Sequence, residues 1–408
     1  MKCRHCEQPL EHVFLDLGHA PASNAYLSSE GLRAPETYFP LKLNVCHECW
    51  LVQTEDYAAA DELFSPDYAY FSSTSKSWLE HARRYAEKMT AELGLGPHSH
   101  VIEIASNDGY LLKNFVAAGI PCLGIEPTAS TAAAAEALGV PVLREFFGEE
   151  LGKQLAAEGR QADLLLGNNV YAHVPDINDF TAGMKAALKP DGVITLEFPH
   201  LLRLVQETQF DTVYHEHFSY LSLYTVQRIF ARAGLRVWRV EQLPTHGGSL
   251  RVYGCHAEHG RAEEASVAAV LAEEAQAGLQ ALPVYQQFQA RADEVKHNLM
   301  AWLVEQRRAG RKVAAYGAAA KGNTLLNYAG IKPDLLPYVC DAAPSKQGKF
   351  LPGSHIPILP PAALAERRPD VILILPWNIA EEVVAQNRAL SEGGARFVTA
   401  VPVIREVQ

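Results

Sequence analysis

The sequence predicts an α/β protein in three parts: a small N-terminal zinc-binding module, a central Rossmann-like domain and a C-terminal Rossmann-like α/β domain. Three observations support this. Four of the seven cysteines lie in two Cys-x-x-Cys pairs near the N-terminus. Strand-like apolar runs alternate with helical segments after about residue 100, and again after residue 312, as in parallel sheets covered by helices. The 408 residues also exceed the ~250–300 at which one hydrophobic core stops growing.

Changes in composition along the chain set the predicted boundaries. The module takes residues 1–75, which are rich in turns, and the central domain takes residues 76–256. Residues 257–311 are rich in Ala, Glu and Gln at helical spacing, so they are predicted to form a helical connection. The C-terminal domain takes residues 312–408.

Strand-like runs place the sheets within these domains. Parallel strands, followed by a closing antiparallel pair, are predicted in the central domain at residues 100–105, 122–126, 162–167, 192–197, 235–241 and 249–254. The C-terminal sheet is predicted at residues 312–317, 338–341, 370–376 and 396–402.

The charge balance argues against a nucleic-acid partner. Lys and Arg total 36 against 47 Asp and Glu, a formal net charge of −11, and no basic run would neutralise a phosphate ladder. The sequence begins without an apolar signal region, and no stretch approaches the ~18 apolar residues of a membrane span. We therefore expect a soluble, cytoplasmic protein without a membrane partner or a disulfide framework. Its oligomeric state is left open, and a monomer is compatible with the sequence.

The cysteine pairs have the spacing of metal ligands. Cys3 and Cys6 form one pair, Cys46 and Cys49 form the other, and 39 residues separate the pairs. Two such thiolate hairpins can complete a tetrahedral Zn²⁺ shell with bonds of ~2.3 Å. Because four thiolates leave no open position for substrate, a structural zinc is predicted. An iron cluster and four free thiols are the alternatives.

A nucleoside site is predicted where the first two central strands end. The run from Glu103 to Gly109 opens a helix, and its small residues let a ligand approach the backbone. Glu126 ends the second strand, 23 residues after Glu103, where a carboxylate can accept both ribose hydroxyls. Cofactor contacts are predicted at Glu103, Ala105, Ser106, Asn107, Gly109 and Glu126, and at the end of a later strand at Asn168 and Asn169.

The same loop discriminates between cofactors. A dinucleotide fingerprint needs G-x-G-x-x-G to admit the pyrophosphate, whereas this loop supplies only Gly109, with Ala105 and Asn107 at the other small positions. S-adenosylmethionine, which carries no phosphate, therefore fits better than NAD. A purely structural βα turn is the alternative.

A candidate acid/base centre lies in four consecutive residues, Tyr214, His215, Glu216 and His217. Imidazole titrates near neutral pH and a carboxylate or phenol can polarise it, so the cluster suits removal of a weakly acidic proton. Metal ligation and hydrogen-bonded core groups are the alternatives. His173 follows a strand and is a reserve candidate, although such a histidine is more often a core residue.

The C-terminal domain carries a candidate anion site. The run from Gly317 to Thr324 follows a strand and begins a helix, a geometry that suits a pyrophosphate. Lys321 falls four residues after Gly317 and no Gly-Lys-Ser/Thr ends the loop, so ATP hydrolysis is not implied. A lysine on a solvated loop is the alternative. A second glycine loop, from Thr245 to Arg251, fits either a substrate contact or a plain hairpin turn.

Several long motifs occur in one order along the chain. They are the two cysteine pairs followed by Leu63–Ser73, Glu103–Leu112, Asn168–Val174, Glu197–His200, Phe210–Tyr220, Thr245–Arg251, Tyr316–Thr324, Asp341–Gly348, Pro352–Gly353 and Pro376–Asn378. Together they resemble the C-methyltransferases that methylate a nucleotide-linked deoxy-4-ketohexose at C-3, or at C-5 in some members. The resemblance covers nearly the whole chain.

The resemblance implies roles for individual residues. Acid/base roles fall on Tyr214, Glu216 and His217, and substrate contacts fall on Tyr68, His173 and parts of the 316–324 loop, which contains Tyr316, Lys321 and Asn323. From the residues themselves, further substrate contacts are predicted at Tyr70, His215, His246 and Arg251, and His173 is the reserve base. The implied cofactors are S-adenosylmethionine and structural zinc, and the implied partner is a TDP- or GDP-linked ketosugar.

In the expected mechanism, His217 removes the C-3 proton, Glu216 orients or charges His217, and Tyr214 donates to the oxyanion that develops at C-4. Two other functions are weighed against it. The missing glycines argue against an NAD-dependent nucleotide-sugar oxidoreductase. The acidic net charge and the acid/base cluster argue against a non-enzymatic zinc-ribbon scaffold.

Overall fold

The structure is a computed structural model that describes residues 1–55 and 71–407. Two predicted substrate contacts, Tyr68 and Tyr70, lie outside the described residues. The strands are β1 His12–Ala20, β2 Phe39–Val45, β3 Val52–Thr54, β4 Val101–Ile104, β5 Cys122–Ile125, β6 Val142–Leu143, β7 Ala162–Asn168, β8 Leu188–Pro199, β9 Ser219–Tyr220, β10 Leu235–Leu243, β11 Ser249–His256, β12 Val313–Tyr316, β13 Val339–Cys340, β14 Ile358–Leu359, β15 Val371–Ile374, β16 Arg396–Thr399 and β17 Arg405–Val407.

Helices connect these strands. The α-helices of the described residues are α1 Lys76–Leu93, α2 Leu112–Ala117, α3 Ala129–Ala137, α4 Glu149–Ala157, α5 Ile177–Ala187, α6 Leu201–Gln206, α7 Leu223–Arg232, α8 Ala265–Gln276, α9 Leu282–Gln286, α10 Phe288–Arg308, α11 Ala320–Ala329, α12 Ala362–Arg367, α13 Ala380–Gln386 and α14 Arg388–Glu392. Within residues 1–55 and 71–407, no helix is both long enough and apolar enough to cross a membrane.

The strands form three sheets. An antiparallel sheet has the order β1-β2-β3-β9, the central sheet has the order β10-β11-β8-β7-β4-β5-β6, and the C-terminal sheet has the order β14-β13-β12-β15-β16-β17. Strands β4 to β8 pair in parallel, and β10 and β11 close the central sheet antiparallel. The predicted α/β fold, with Rossmann-like central and C-terminal parts, is confirmed.

In the central and C-terminal sheets, agreement with the predicted elements is close apart from the shortest strands, whereas the strands of the N-terminal sheet, β1, β2, β3 and β9, were not predicted. The predicted runs form β4, β5, β7, β8, β10 and β11 in the centre, and β12, β13, β15 and β16 in the C-terminal sheet. Strands β6, β14 and β17 were not predicted because two or three residues are too few to show an alternating pattern. The predicted helical connection contains α8, α9 and α10. The domain boundaries themselves stay predictions.

Helix α1 covers one face of the central sheet, and its ends follow from the sequence. The Ser75 hydroxyl accepts a hydrogen bond from the Trp78 backbone N–H at the first turn. The helix ends at Gly94, whose φ of 61° costs glycine little. Its buried residues are Ala82, Tyr85, Ala86 and Met89. This cap places Trp78 at the carboxyl edge of the sheet.

Strand β9 joins the segment of residues 214–220 to the N-terminal sheet. Val52 pairs with Tyr220 and Gln53 pairs with Ser219 in an antiparallel ladder, and the Thr54 N–H donates to the Phe218 carbonyl at 3.2 Å. One hydrophobic cluster runs from β1 through α6, α9 and α10 to β12 and β15. The N-terminal sheet is therefore completed by a strand that lies far along the chain.

Candidate active site

A cavity of about 830 Å³ opens where the carboxyl ends of the central and C-terminal sheets meet. Open α/β sheets bind ligands at this edge. The central sheet contributes the ends of β4, β5, β7 and β8, and the C-terminal domain contributes the residues just after β12 and β15. The lining includes the predicted site residues Ala105, Asn107, Glu126, Asn168, Asn169, His173, Tyr214, Glu216, His217, His246 and Lys321.

The loop after β4 is shaped by left-handed residues. Ala105 and Asn107 have φ of 55° and 49°, a conformation that is uncommon outside glycine and concentrates at functional sites. Glu126 holds this loop, because its carboxylate accepts hydrogen bonds from the backbone N–H groups of Asn107 and Thr128, both at 2.9 Å. The Asn107 side chain accepts from the Ser72 N–H at 3.0 Å. The loop is thus fixed before a ligand arrives.

Buried amide atoms at the end of β7 suit a polar ligand. Asn168 Nδ2 and Asn169 Oδ1 are buried and have no hydrogen-bond partner among the described residues. Asn169 Nδ2 lies 3.0 Å from His246 Nε2, so the amide donates and the imidazole accepts. Burial, and then the charge of nearby Lys321, lower the pKa of His246 to about 4. The orphaned amide atoms fit an S-adenosylmethionine molecule, which carries amino, carboxylate and adenine groups.

Three of the predicted cofactor residues lie beneath the surface of the loop after β4 and do not line the cavity. Glu103 is 1% exposed, and its two carboxylate oxygens have no partner in the described part of the chain. Burial, and then the charges of Asp108 and Glu126, raise the pKa of Glu103 well above its ordinary value. Ser106 is fully buried, and Gly109 has a positive φ of 74°. Their predicted contacts with cofactor stay predictions.

Gly124 in β5 makes room for Ser106 beneath the loop. A Cβ at position 124 would overlap Ser106 Oγ and lie 2.9 Å from Ser106 Cβ. We expect Gly124→Ala to lower the free energy of unfolding by ~1–3 kcal/mol and to weaken S-adenosylhomocysteine binding, measured by urea unfolding and calorimetry. Gly96→Ala is the control, because its Cβ meets no atom within 4 Å. Unchanged affinity in Gly124→Ala would show that this loop does not hold the cofactor.

His217 is a neutral base in the cavity wall. Its Nδ1 lies 3.1 Å from the Thr212 carbonyl oxygen. Because a carbonyl only accepts, Nδ1 carries the proton and Nε2 keeps its lone pair. Burial lowers the pKa of His217 well below its ordinary value, and His173 lowers it further. The imidazole can therefore accept a proton at neutral pH.

Aromatic rings hold His217 in place. The ring centroids of His173, Tyr214 and Tyr220 lie 4.5, 4.6 and 5.8 Å from that of His217. The Tyr214 backbone N–H donates to the Tyr220 hydroxyl at 3.2 Å. Burial lowers the pKa of His173 to about 4, and its side chain hydrogen-bonds the backbone of Glu216. Both imidazoles are thus uncharged at pH 7.

Glu216 contacts the N-terminal part of the chain. Its carboxylate lies 3.1 and 3.0 Å from Asn24 Nδ2. Because the Thr212 carbonyl occupies His217 Nδ1, the expected role of Glu216 in orienting or charging His217 stays a prediction. Glu216 is 3% exposed and lines the cavity beside His217.

Lys321 enters the cavity from the first turn of α11. Its Nζ donates to Asn378 Oδ1 at 2.6 Å and lies 4.5 Å from the centre of the Trp377 ring. Burial lowers the pKa of Lys321 to about 8, although the Asp211 carboxylate opposes the shift. The Trp377 indole N–H donates to Asp211 at 2.7 Å, and burial raises the pKa of Asp211 to about 6. Lys321 is therefore part of the cavity wall, where neighbouring side chains hold its ammonium group, and it does not lie on a solvated loop.

Arg251 lies behind the cavity wall. It is 4% exposed and donates to Glu197 at 2.5 Å. Burial pushes the pKa of Glu197 upward, but the His81 hydrogen bond and the Arg251 charge hold it at about 2. Glu197 also accepts from the Thr245 hydroxyl at 2.9 Å. Arg251 thus supports the loop that carries His246, and the cavity lining gives no support to its predicted substrate contact.

Three further predicted substrate contacts also lie outside the lining. His215 Nε2 lies 3.3 Å from the Phe39 carbonyl oxygen, and Tyr316 packs in the core of the C-terminal sheet. Asn323 is 1% exposed and donates to the Ser23 carbonyl at 2.6 Å. The geometry gives these residues roles in packing, and their substrate contacts stay predictions.

Sequence reasoning missed several residues of the site. Asn24 and Trp78 line the cavity from the N-terminal part and from α1, and the Trp78 ring lies 5.1 Å from that of His246. Lys346 lines it from the C-terminal domain, and its Nζ donates to the Ala318 carbonyl at 2.9 Å. The motif around Asp341 contained the signal for Lys346, whereas no local pattern marks Asn24.

The four predicted metal ligands come together. The Sγ atoms of Cys3, Cys6, Cys46 and Cys49 all lie within 4.8 Å of one another, with Cys3 to Cys49 at 3.5 Å and Cys6 to Cys46 at 3.4 Å. Sulfur atoms ~3.8 Å apart would surround a tetrahedral zinc with bonds of ~2.3 Å. The Gln53 amide donates to Cys3 Sγ at 3.2 Å, an outer contact typical of metal thiolates. The donor set fits Zn²⁺.

Comparison with known proteins assigns each part of the chain. A zinc binding domain family matches residues 3–64, a methyltransferase domain family matches residues 78–240, and a C-methyltransferase C-terminal domain family matches residues 244–402. Among solved structures, magnesium protoporphyrin IX methyltransferase from Synechocystis with bound S-adenosylhomocysteine is 14% identical, covers 44% of this chain and 83% of that chain, and gives a TM-score of 0.36. A S-adenosylmethionine-dependent methyltransferase from Clostridium acetobutylicum is 8% identical, covers 44% and 92%, and gives 0.35.

The C-methyltransferase NovU from Streptomyces niveus matches the chain from end to end. It is 34% identical over 406 residues, which are 100% of this chain and 96% of that protein. The predicted cofactors, S-adenosylmethionine and zinc, agree with the matched domains and with the cysteine cluster. The chain therefore belongs to the C-methyltransferase family, as an S-adenosylmethionine-dependent enzyme with an N-terminal zinc-binding domain.

Proposed function

We propose that the enzyme methylates a TDP- or GDP-linked 4-keto-deoxyhexose at C-3. One observation carries the proposal. The neutral His217 Nε2 belongs to a cavity that also contains the cofactor loops at Asn107 and Glu126 and the partly buried cation Lys321. Such a cavity can hold a methyl donor and an anionic sugar substrate against a single base.

The chemistry follows from the acidity of the substrate. A hydrogen on the carbon next to a ketone is weakly acidic, so its removal needs a base within ~3 Å and a donor to the enolate oxygen. His217 Nε2 takes the C-3 proton, and the electron pair of the C–H bond moves into the enolate. Carbon C-3 then bonds to the methyl group as the carbon–sulfur bond breaks and its electrons stay on sulfur. Bound S-adenosylmethionine supplies this activated methyl group.

Two neighbours assist His217 in the proposed reaction. Tyr214 lines the cavity beside it and donates a hydrogen bond from its phenol to the oxyanion at C-4. Glu216 stabilises the imidazolium through its charge, since the Thr212 carbonyl already orients the ring. His217 returns its proton to solvent after methyl transfer, which restores the neutral base.

Lys321 is proposed to bind the pyrophosphate of the substrate. With a pKa of about 8, it is charged below pH 8 and neutral above. Because kcat/KM reports the free enzyme, we expect kcat/KM to fall as the pH rises through about 8. Lys321→Arg keeps its charge at all relevant pH values, so its profile is expected to extend to higher pH. Lys321→Ala is expected to raise KM ~10- to 100-fold.

The control for Lys321 is a lysine at the opposite end of β12, the strand that leads into the loop before Lys321. Lys312 precedes β12 and is exposed, so Lys312→Ala is expected to keep the wild-type KM and pH profile. A wild-type KM in Lys321→Ala would remove Lys321 from the substrate site.

Incubation with S-adenosylmethionine and a small panel of substrates tests the proposed function. The panel contains TDP- and GDP-linked 4-keto-6-deoxyhexoses, mass spectrometry detects methyl addition, and NMR locates the new methyl group. We expect a product methylated at C-3. Methyl transfer to none of the sugars would overturn the proposal.

A further inference from the structure

We infer that Asn24 is a positioning residue for methyl transfer, through its hydrogen bonds to Glu216. The inference rests on the acid/base role proposed above for Glu216 and His217. Asn24 Nδ2 lies 3.1 Å from one Glu216 oxygen and 3.0 Å from the other, and both side chains line the cavity. The zinc-binding part of the chain thus supplies a side chain to the catalytic cluster.

The loop that carries Asn24 is tied to the C-terminal domain on both sides. Asn323 of α11 donates to the Ser23 carbonyl at 2.6 Å, and the Tyr26 hydroxyl donates to the Ala318 carbonyl at 2.6 Å. A loop held one residue before and two residues after Asn24 presents its side chain at a fixed point. These contacts give Asn323, whose side chain does not line the cavity, a role in holding this loop.

Asn24 acts on the charge of Glu216. An N–H donor stabilises an ionised carboxylate and disfavours its protonated form. A carboxylate kept anionic beside His217 stabilises the imidazolium that forms when the C-3 proton is taken. Removing the Asn24 donor therefore lowers the basicity of His217, while the His217 side chain itself stays in place.

Around Glu216, the side chains of Tyr26, Tyr220 and His173 are uncharged at neutral pH, whereas Lys346 carries an ammonium group. Burial raises the pKa of Tyr26 and of Tyr220, and the Glu216 charge contributes to both shifts. Burial lowers the pKa of His173, which bonds the Glu216 backbone. Lys346 lines the same cavity, and its ammonium group donates to the Ala318 carbonyl. Among the described residues, Asn24 is thus a direct donor to the Glu216 carboxylate.

Two variants separate this role from simple packing. Asn24→Asp keeps the shape of the side chain but replaces the donor with a like charge, whereas Asn24→Ala removes the side chain. We expect kcat to fall about 10-fold in Asn24→Ala and about 100-fold or more in Asn24→Asp, with KM and S-adenosylhomocysteine affinity unchanged. A packing role predicts the reverse order, because Asp fills the space that Ala leaves empty.

The pH profile and a measurement without substrate complete the test. We expect the acidic limb of the kcat profile to move to higher pH in Asn24→Ala. Titration of ¹³C-labelled glutamate carboxyls by NMR, with the Glu216 signal identified by its loss in Glu216→Gln, is expected to show the same direction. The NMR result stands even if no ketosugar is methylated, so failure of the proposed function is distinguishable from failure of this inference.

A matched control lies in the same part of the chain. Asn44 of β2 donates to Glu55 at 3.0 Å and is not part of the cavity lining. Asn44→Ala is expected to keep the wild-type kcat, the wild-type pH profile and the Glu216 titration. A Glu216 titration unchanged in Asn24→Ala, or a higher kcat in Asn24→Asp than in Asn24→Ala, would overturn the inference.

Discussion

Replacing His217 by Asn is expected to lower kcat by ~10²–10⁴-fold, the usual contribution of a positioned general base. The variant keeps a side chain that can donate to the Thr212 carbonyl but loses the Nε2 lone pair. Since the cofactor loops lie at the ends of other strands, S-adenosylhomocysteine affinity is expected to stay at the wild-type value. Steady-state kinetics and calorimetry measure the two effects.

A histidine far from the cavity provides the control. His100 precedes β4 at the opposite end of the sheet, where its Nδ1 lies 3.0 Å from the Arg160 carbonyl, and His100→Asn is expected to keep the wild-type kcat. A near-normal rate in His217→Asn would instead assign the base to Tyr214 or His173, which line the same cavity.

Loss of zinc is expected to abolish activity together with the N-terminal fold. Structural zinc contributes on the order of 10 kcal/mol to folding, a value comparable with the whole stability of a domain. In Cys46→Ser, we expect loss of bound zinc, a large fall in the unfolding temperature and no methyl transfer. Metal analysis, thermal unfolding and activity assays on the full chain measure these effects.

The control for the zinc prediction is a buried cysteine outside the cluster. Cys340 ends β13 and is fully buried. The Cys340→Ala variant is therefore expected to retain its zinc, and its free energy of unfolding is expected to fall only by the small contribution of thiol packing. Full activity in zinc-free Cys46→Ser would show that the metal does not support the active site.

The fold was predictable because its signals are local. Each Cys-x-x-Cys pair, and each apolar run that became β4, β5, β7 or β8, lies within a few consecutive residues. Sequence reasoning missed β9 and β14, which are two residues long and form by pairing with the edge of a neighbouring strand. Pairing of this kind depends on the tertiary structure and leaves no local pattern. Sequence reasoning also missed β1 and β2 of the N-terminal sheet, which are nine and seven residues long.

The candidate site was predictable to the extent that its residues end strands or belong to long motifs. Asn107, Glu126 and His217 line the cavity as expected. Asn24 escaped prediction because its contact with Glu216 joins residues 192 positions apart. For the same reason, the hydrogen bond from Arg251 to Glu197 could not be predicted from the sequence.

The pairing of β9 with β3 also limits how such enzymes can be recombined. A chimera that exchanges residues 1–75 alone would set a foreign β3 against the native Ser219–Tyr220 strand and a foreign loop against Glu216. Exchange of the amino-terminal segment must therefore carry residues 210–220 with it. The residues that must be exchanged together are contiguous in space, although they come from two distant stretches of the chain.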